Sequence, residues 1–166
     1  LEDAMKEINY VYHCAAVISF FPKEKNKMLR ANMEGTANVV NVALDAGVKK
    51  FCHISSIAAL GFTIDGSLIN EDVWWKNDPS NSWYAISKYG AEREVWRAAN
   101  EGLNVIVVNP SLIIGPGNWQ QSSSDIFYKA NKGIKFYTDG GTGFVDVRDV
   151  SALIIKLIDS DIKNER

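Results

Sequence analysis

Short apolar runs alternate along this chain with longer segments of helical periodicity, and that alternation limits the folds open to it. Residues 10–15, 51–54 and 104–108 are short and apolar. The last of them, Asn-Val-Ile-Val-Val, does not alternate, as expected when both faces of a sheet are covered. Residues 28–46 and 83–100 place apolar side chains three or four positions apart, which predicts helices. Strands that alternate with helices predict an α/β fold with a parallel sheet.

The rest of the chain adds smaller predicted elements. A helix capped by serine is expected at 122–132, and a last amphipathic helix at 150–158. Short strands are expected at 135–138 and 143–147. The polar segment 55–82 is predicted to be one long loop, and loops of that length inside compact domains are usually functional or disordered.

Tyr84 and Lys88 stand four residues apart near the start of the predicted helix 83–100. That spacing puts both side chains on one helix face. A neighbouring ammonium stabilises a phenolate, so we expect the pKa of Tyr84 to lie below the value near 10 of a free tyrosine. Such a tyrosine is a candidate general acid and base, with Lys88 as its electrostatic partner.

Further segments accompany this pair in a fixed order, at 12–16 (Tyr-His-Cys-Ala-Ala), 32–36 (Asn-Met-Glu-Gly-Thr), 55–56 (Ser-Ser, followed by Gly61), 109–117 and 144–150. Together with the tyrosine and lysine they resemble the motifs of the extended short-chain dehydrogenase/reductase family, and they extend over nearly the whole chain. The resemblance implies a Rossmann-type doubly wound parallel sheet and a nicotinamide dinucleotide, NAD or NADP, as cofactor.

The same resemblance implies a catalytic serine, tyrosine and lysine, which here are Ser56, Tyr84 and Lys88. Ser55 is the alternative serine, because both serines follow the predicted strand, and the position of Gly61 favours Ser56. Tyr84 would transfer the proton of the substrate hydroxyl, and Ser56 would hydrogen-bond the same oxygen.

Other roles also come only from the resemblance. Lys88 would hydrogen-bond the ribose hydroxyls of the cofactor, and Asn32 would order a water in the proton path to Lys88. The residues expected at the cofactor are Ala15, Ala16, Val17, Asn32, Ile54, Tyr84, Lys88, Pro110, Leu112 and Ile113.

The type of reaction stays open. Segments 109–117 and 144–150 are more similar to dihydroflavonol and cinnamoyl-CoA reductases, which favours a reductase acting on a small carbonyl compound. An apolar pocket for it is suggested by Trp74, Trp75, Trp83 and Trp119. A nucleotide-sugar epimerase or dehydratase is the alternative, because a diphosphate suits Lys129, Lys132, Lys135 and Arg148. A dinucleotide-binding protein without catalysis, or an inactive fragment, is the alternative of another class.

The glycine-rich turn G-x-x-G-x-x-G, with which the family opens and which meets the cofactor pyrophosphate, does not occur in this sequence. We therefore predict an incomplete Rossmann-like domain over residues 1–166 that lacks the first strands and this turn. A C-terminal substrate-binding part is expected to begin at about 111–147. The uncovered edge of the first strand, or the two long helices, would pair two copies into a homodimer.

Composition argues against other classes of partner. A net charge of −2 over 166 residues gives no reason to expect nucleic acid or an acidic membrane surface. No apolar run approaches the ~20 residues that cross a bilayer. Two histidines without clustered carboxylates predict no metal site. Cys14 and Cys52 are expected to be buried thiols, so a reducing, cytoplasmic location is the default expectation.

Overall fold

A computed structural model of the chain describes residues 1–63, 67–117, 124–134, 136 and 141–166. Several sequence predictions lie outside these residues. They include Trp119, Lys135, the first residues of the helix expected at 122–132 and, apart from Phe136, the strand expected at 135–138.

The main sheet has three parallel strands, β1 (Tyr10–His13), β2 (Lys50–Ile54) and β3 (Val105–Val108), with β2 in the centre. Val11 pairs with Phe51, which in turn pairs with Val105 on the other side. The predicted parallel α/β sheet is therefore confirmed. Among the described residues β1 pairs only with β2, so its outer side is an edge.

Two long helices, α2 (Lys25–Asp45) and α3 (Trp83–Asn100), follow the short α1 (Glu2–Met5) and pack together on one face of the sheet. The core lies between them and the strands, where Val40, Phe51, Val95 and Val105 are fully buried. Helix α2 begins three residues before the predicted start at 28, because Pro22 opens a 3₁₀ turn that runs directly into it.

The opposite face of the sheet carries α5 (Val147–Ile158). Lys50 precedes the core residue Phe51 in β2 and therefore points to the other face, where its Nζ donates to the carbonyl of Leu157 at 2.8 Å. Helices on both faces are the doubly wound arrangement that the family resemblance implies. Asp146 caps α5 by accepting a hydrogen bond from the backbone N–H of Arg148 at 2.8 Å.

A second sheet contains two parallel strands, β4 (Leu112–Ile114) and β5 (Phe144–Asp146), and α4 (Ser124–Asn131) lies between them in sequence. The sequence predicts β5 but not β4, because only three residues of the segment 109–117 form the strand. They become a strand through pairing with β5, in which each partner lies 32 positions further along the chain.

Cys52 is buried in β2, but Cys14 is exposed, so the expectation of two buried thiols is wrong for Cys14. The physical reason is that β1 ends at His13, which leaves Cys14 past the end of the sheet. None of the helices that the structure describes is both long enough and apolar enough to cross a lipid bilayer.

Candidate active site

The candidate site lies at the carboxyl ends of β2 and β3, beside the first turns of α3. Ser56 is the second residue after β2, while Tyr84 and Lys88 lie in the first two turns of the helix. The carboxyl ends of parallel strands are where open α/β sheets bind their ligands. Helix α3 begins at this edge because the Ser82 side chain accepts a hydrogen bond from the N–H of Ala85 at 3.1 Å.

Lys88 is buried, with only 4% of its surface exposed, and its Nζ donates to the carbonyl of Ile54 at 2.9 Å. Burial lowers the pKa of this ammonium from 10.5 to about 8, and electrostatic interactions with Glu92 and Cys14 oppose that shift. Within the described residues, one of the three ammonium hydrogens is used by Ile54. The ammonium can therefore still donate to a ligand at the end of β2.

Tyr84 has a raised pKa, contrary to the fall that the sequence predicts. Burial of the phenol is the larger effect, and a hydrogen bond with the Ser56 side chain opposes it. The helical spacing does place Lys88 one turn away, but its ammonium bonds Ile54 on the neighbouring strand. The phenol is therefore protonated at neutral pH. The ring of Phe20 lies 6.0 Å from the Tyr84 ring, centre to centre.

The two serines that follow β2 point to different partners. Ser56 lies close enough to the Tyr84 phenol to lower the pKa of that phenol, and its Oγ accepts a hydrogen bond from the N–H of Ala58 at 3.2 Å. Ser55 is buried and donates from its Oγ to the Glu92 carboxylate at 2.8 Å. The structure therefore brings Ser56, and not Ser55, together with the tyrosine.

Asn32 is buried in α2 and forms three hydrogen bonds with protein groups. Its Oδ1 accepts from the Val17 N–H at 2.7 Å, and its Nδ2 donates to the Val17 carbonyl and the Ser87 Oγ, both at 2.9 Å. The Ser87 Oγ itself donates to the carbonyl of Tyr84 at 2.7 Å. The side chain of Asn32 thus ties the segment after β1 to the first turn of α3.

The other residues expected at the cofactor lie in the segments that follow β1 and β3 and in β4. Ala15 and Ala16 are exposed in the segment after β1. The carbonyl of Pro110 accepts a hydrogen bond from the Ile57 N–H at 3.1 Å, which joins the serine loop to the segment after β3. The remaining two, Leu112 and Ile113, are half-buried in β4.

Glu92 is a buried polar residue of this region that the sequence analysis did not single out. It follows Lys88 by four residues, as Lys88 follows Tyr84, so helical periodicity offered a signal for it. Its partner Arg166 lies 74 positions away in the chain and gave no such signal. His53 is also buried, and within the described residues neither of its ring nitrogens has a hydrogen-bond partner.

The tryptophans expected around an apolar substrate are used in different ways. Trp75 stacks on Tyr89, with ring centres 4.4 Å apart and planes 7° from parallel. The Nζ of Lys25 lies 3.2 Å from the ring centre of Trp83, a cation–π contact. Trp74 is 80% exposed. These contacts leave Trp74 and the exposed part of Trp83 as the described tryptophan surfaces open to a ligand.

The residues present fit one end of a nicotinamide dinucleotide. The free donors of Lys88 suit ribose hydroxyls, and the Ser56–Tyr84 pair suits the oxygen of a substrate beside the nicotinamide. The pyrophosphate end has no matching glycine turn, since Gly35, the first glycine of the sequence, lies within α2.

Comparison with known proteins matches residues 1–166 to the family model of the NAD dependent epimerase/dehydratase family. A putative dihydroflavonol 4-reductase of Synechocystis sp. is 32% identical over 154 residues, which is 92% of this chain and 45% of the relative. A UDP-glucose 4-epimerase of Vibrio cholerae is 28% identical over 169 residues, 93% of this chain and 49% of the relative.

Among solved structures, a crystal structure of gox2253 superposes with a TM-score of 0.81 at 34% identity, covering 94% of this chain and 49% of that one. The chain spans about half the length of the curated relatives it matches. The comparisons therefore cover almost all of this chain, but only part of each relative.

Proposed function

This chain belongs to the NAD dependent epimerase/dehydratase family, and on that basis we propose that it forms the catalytic core of an NAD(P)-dependent oxidoreductase of the extended short-chain dehydrogenase type. The observation that carries the proposal is the convergence of Ser56, Tyr84 and the buried Lys88 at the carboxyl end of the sheet. The family is NAD dependent. The proposal covers NAD and NADP, and the titration described below distinguishes them.

In this proposal Tyr84 is the general acid and base. Its raised pKa keeps the phenol protonated at neutral pH, so it can donate a proton to the oxygen of a carbonyl substrate as that oxygen becomes negative. Ser56 holds the same oxygen with its hydroxyl. When bound, the nicotinamide supplies or accepts the hydride. Lys88 orients the cofactor by donating to its ribose hydroxyls.

A small carbonyl compound is the substrate class that we favour. The protonated state of Tyr84 suits reduction, because the reaction needs a proton donor before it needs a base. Phe20 beside Tyr84 and the exposed Trp83 give the approach to the site an apolar surface. The segment 111–147, which contains β4 and β5, remains the predicted beginning of the substrate-binding part.

A nucleotide-sugar epimerase or dehydratase is the second candidate, supported by the similarity to the UDP-glucose 4-epimerase. Two of the cations expected to bind a diphosphate form ion pairs with carboxylates in the structure. Arg148 pairs with Asp146 at 2.6 Å, and Lys129 pairs with Asp125 at 2.5 Å. Because these exposed pairs are weak, a strongly charged ligand can still compete for the cations.

Titration of the chain with NAD, NADH, NADP and NADPH, followed by nicotinamide fluorescence, tests the proposal. Saturable binding of one pair is expected, and carbonyl reduction should then consume the reduced cofactor. Tyr84→Phe should abolish turnover but preserve binding, whereas Tyr89→Phe, the matched control on the same helix, should leave both unchanged.

Each alternative gives a different result. An epimerase or dehydratase would convert a nucleotide sugar with no net change in the cofactor. A non-catalytic dinucleotide-binding protein would bind the cofactor but show no turnover, either as the wild type or as Tyr84→Phe. Absence of binding even at millimolar cofactor would refute the proposal for this chain.

A further inference from the structure

Glu92 lies two turns beyond Tyr84 on α3, and its carboxylate is buried with its side chain only 3% exposed. Taking a carboxylate out of water is costly unless hydrogen bonds and an opposite charge replace the water. Both carboxylate oxygens are provided with partners. One oxygen accepts from Trp96 Nε1 and from the guanidinium of Arg166, each at 3.2 Å.

The second oxygen of Glu92 is directed at the serine loop. It accepts from the Ser55 Oγ at 2.8 Å and from the Asn109 Nδ2 at 2.9 Å. The same Asn109 amide group donates to the carbonyl of Ser56 at 3.0 Å. One carboxylate oxygen therefore connects helix α3 to the segments that follow both β2 and β3.

Three consecutive residues are held in this way by three side chains. Lys88 bonds the carbonyl of Ile54, Glu92 bonds the hydroxyl of Ser55, and Asn109 bonds the carbonyl of Ser56. These contacts fix the backbone that carries Ser56, and the Ala58 N–H, which donates to the Ser56 Oγ at 3.2 Å, favours one direction of its hydroxyl.

The contacts of the Asn109 side chain with Glu92 and with the Ser56 carbonyl determine which way its amide group is turned. Its Oδ1 is buried and has no hydrogen-bond partner among the described residues, while both contacts to the loop are made by the Nδ2. Turning the amide over would place its oxygen against the Glu92 carboxylate and the Ser56 carbonyl, both of which are acceptors. The negative charge of Glu92 thus selects the orientation that binds the loop.

We propose that Glu92 is a positioning residue, which acts through Ser55 and Asn109 to hold the Ser56 hydroxyl against Tyr84. This inference rests on the proposed function, since positioning of Ser56 matters only if Ser56 and Tyr84 act together on a substrate. Arg166 neutralises the carboxylate from the side away from the loop.

The test is the pKa of Tyr84, followed by NMR of the full chain with ¹³C at the tyrosine ζ position and assigned with Tyr84→Phe. The Ser56 hydrogen bond lowers this pKa, so Ser56→Ala should raise it. Glu92→Gln should also raise it, because an amide has one oxygen for the four donors that the two carboxylate oxygens accept. The double variant should show no further rise.

The direction of the shift separates positioning from a direct effect of charge. Removing a nearby negative charge stabilises a phenolate and would lower the pKa of Tyr84, opposite to the rise that we expect. Glu94→Gln is the matched control, since Glu94 lies on the same helix and pairs with Arg97. It should leave the Tyr84 pKa unchanged. An unchanged or lowered pKa in Glu92→Gln, or additive shifts in the double variant, would overturn the proposal.

Ser55→Ala is a second variant that keeps the Glu92–Arg166 pair and decides the matter if Glu92→Gln does not fold. It should raise the Tyr84 pKa part of the way, and no rise would overturn the proposal. The NMR measurement needs neither cofactor nor turnover. It therefore tests the role of Glu92 even if the chain proves to have no oxidoreductase activity. Where turnover is measurable, Glu92→Gln and Ser56→Ala should lower kcat by the same factor and leave the KM for cofactor unchanged.

Discussion

Lys88 makes the stability of this protein depend on pH in a direction that can be measured. Its pKa falls from 10.5 to about 8 on folding, chiefly because the side chain is buried. Between these two values the unfolded chain binds more protons than the folded chain, so stability rises with pH through that window. Below pH 8 both states are protonated, and the full penalty for the buried ammonium is present.

The size of the effect follows from the two pKa values. A pKa difference of about 2.5 corresponds to about 3 kcal/mol, and at 4% exposure little of it is lost to solvent screening. Linkage places about 1 kcal/mol of the recovery between pH 7 and pH 9. Lys88→Met removes this dependence, and it also loses the bond to Ile54, at a cost of about 1–3 kcal/mol that does not vary with pH.

Urea denaturation of the wild type and Lys88→Met at pH 7, 8 and 9 provides the assay. The stability of the wild type minus that of the variant should rise by about 1 kcal/mol between pH 7 and pH 9. Burial raises the pKa of Cys52 to about 11, which opposes this trend above pH 9, but it does so in both proteins and cancels in the difference. Lys27→Met controls for loss of an exposed lysine. If the stability of the wild type minus that of Lys88→Met stays constant or falls with pH, the lowered pKa of the buried Lys88 is refuted.

Two further predictions concern packing and assembly. Gly61→Ala should lower the free energy of unfolding by about 1–3 kcal/mol, since the new Cβ would lie 2.1 Å from the carbonyl oxygen of Trp74. Gly35→Ala in α2 places its Cβ where nothing lies within 4 Å and should raise the free energy of unfolding by about 0.5–1 kcal/mol. Thermal melts in which the Gly61 variant is the more stable of the two would contradict this packing. The chain should self-associate through the β1 edge, where Tyr10 and Tyr12 are 46% and 40% exposed. Its mass in solution should therefore rise with concentration, and Tyr12→Lys should suppress the rise. A monomer mass that stays constant with concentration would contradict this prediction.

Local periodicity was sufficient to predict most of the framework. The helix predicted at 83–100 agrees with α3 at both ends, because its apolar spacing of three or four extends over the same residues. The three parallel strands agree within two residues. β4 was missed because a three-residue strand carries too little periodicity to be separated from a loop, and its pairing with β5 is non-local.

The candidate site was predicted in part for the same reason. Spacing of four on a helix places Tyr84 and Lys88 on one face, and the end of a buried strand delivers the serine to the same edge. The sequence favoured Ser56 through the position of Gly61 but kept Ser55 as the alternative, because neighbouring serines differ only in the direction of their side chains. The structure separates them by giving Ser55 the Glu92 carboxylate as its partner.

The sequence by itself determined the parallel α/β framework, the helix that carries Tyr84 and Lys88, and the absence of a glycine-rich turn, since each depends on residues close together in the chain. Tertiary structure decided the charge states and partners within the site. The pKa of Tyr84 rises because surrounding elements bury the phenol. The buried Glu92 is tolerated because Arg166 reaches it from 74 positions away. Burial and Coulomb interactions depend on distances in the folded chain, which spacing along the sequence does not specify.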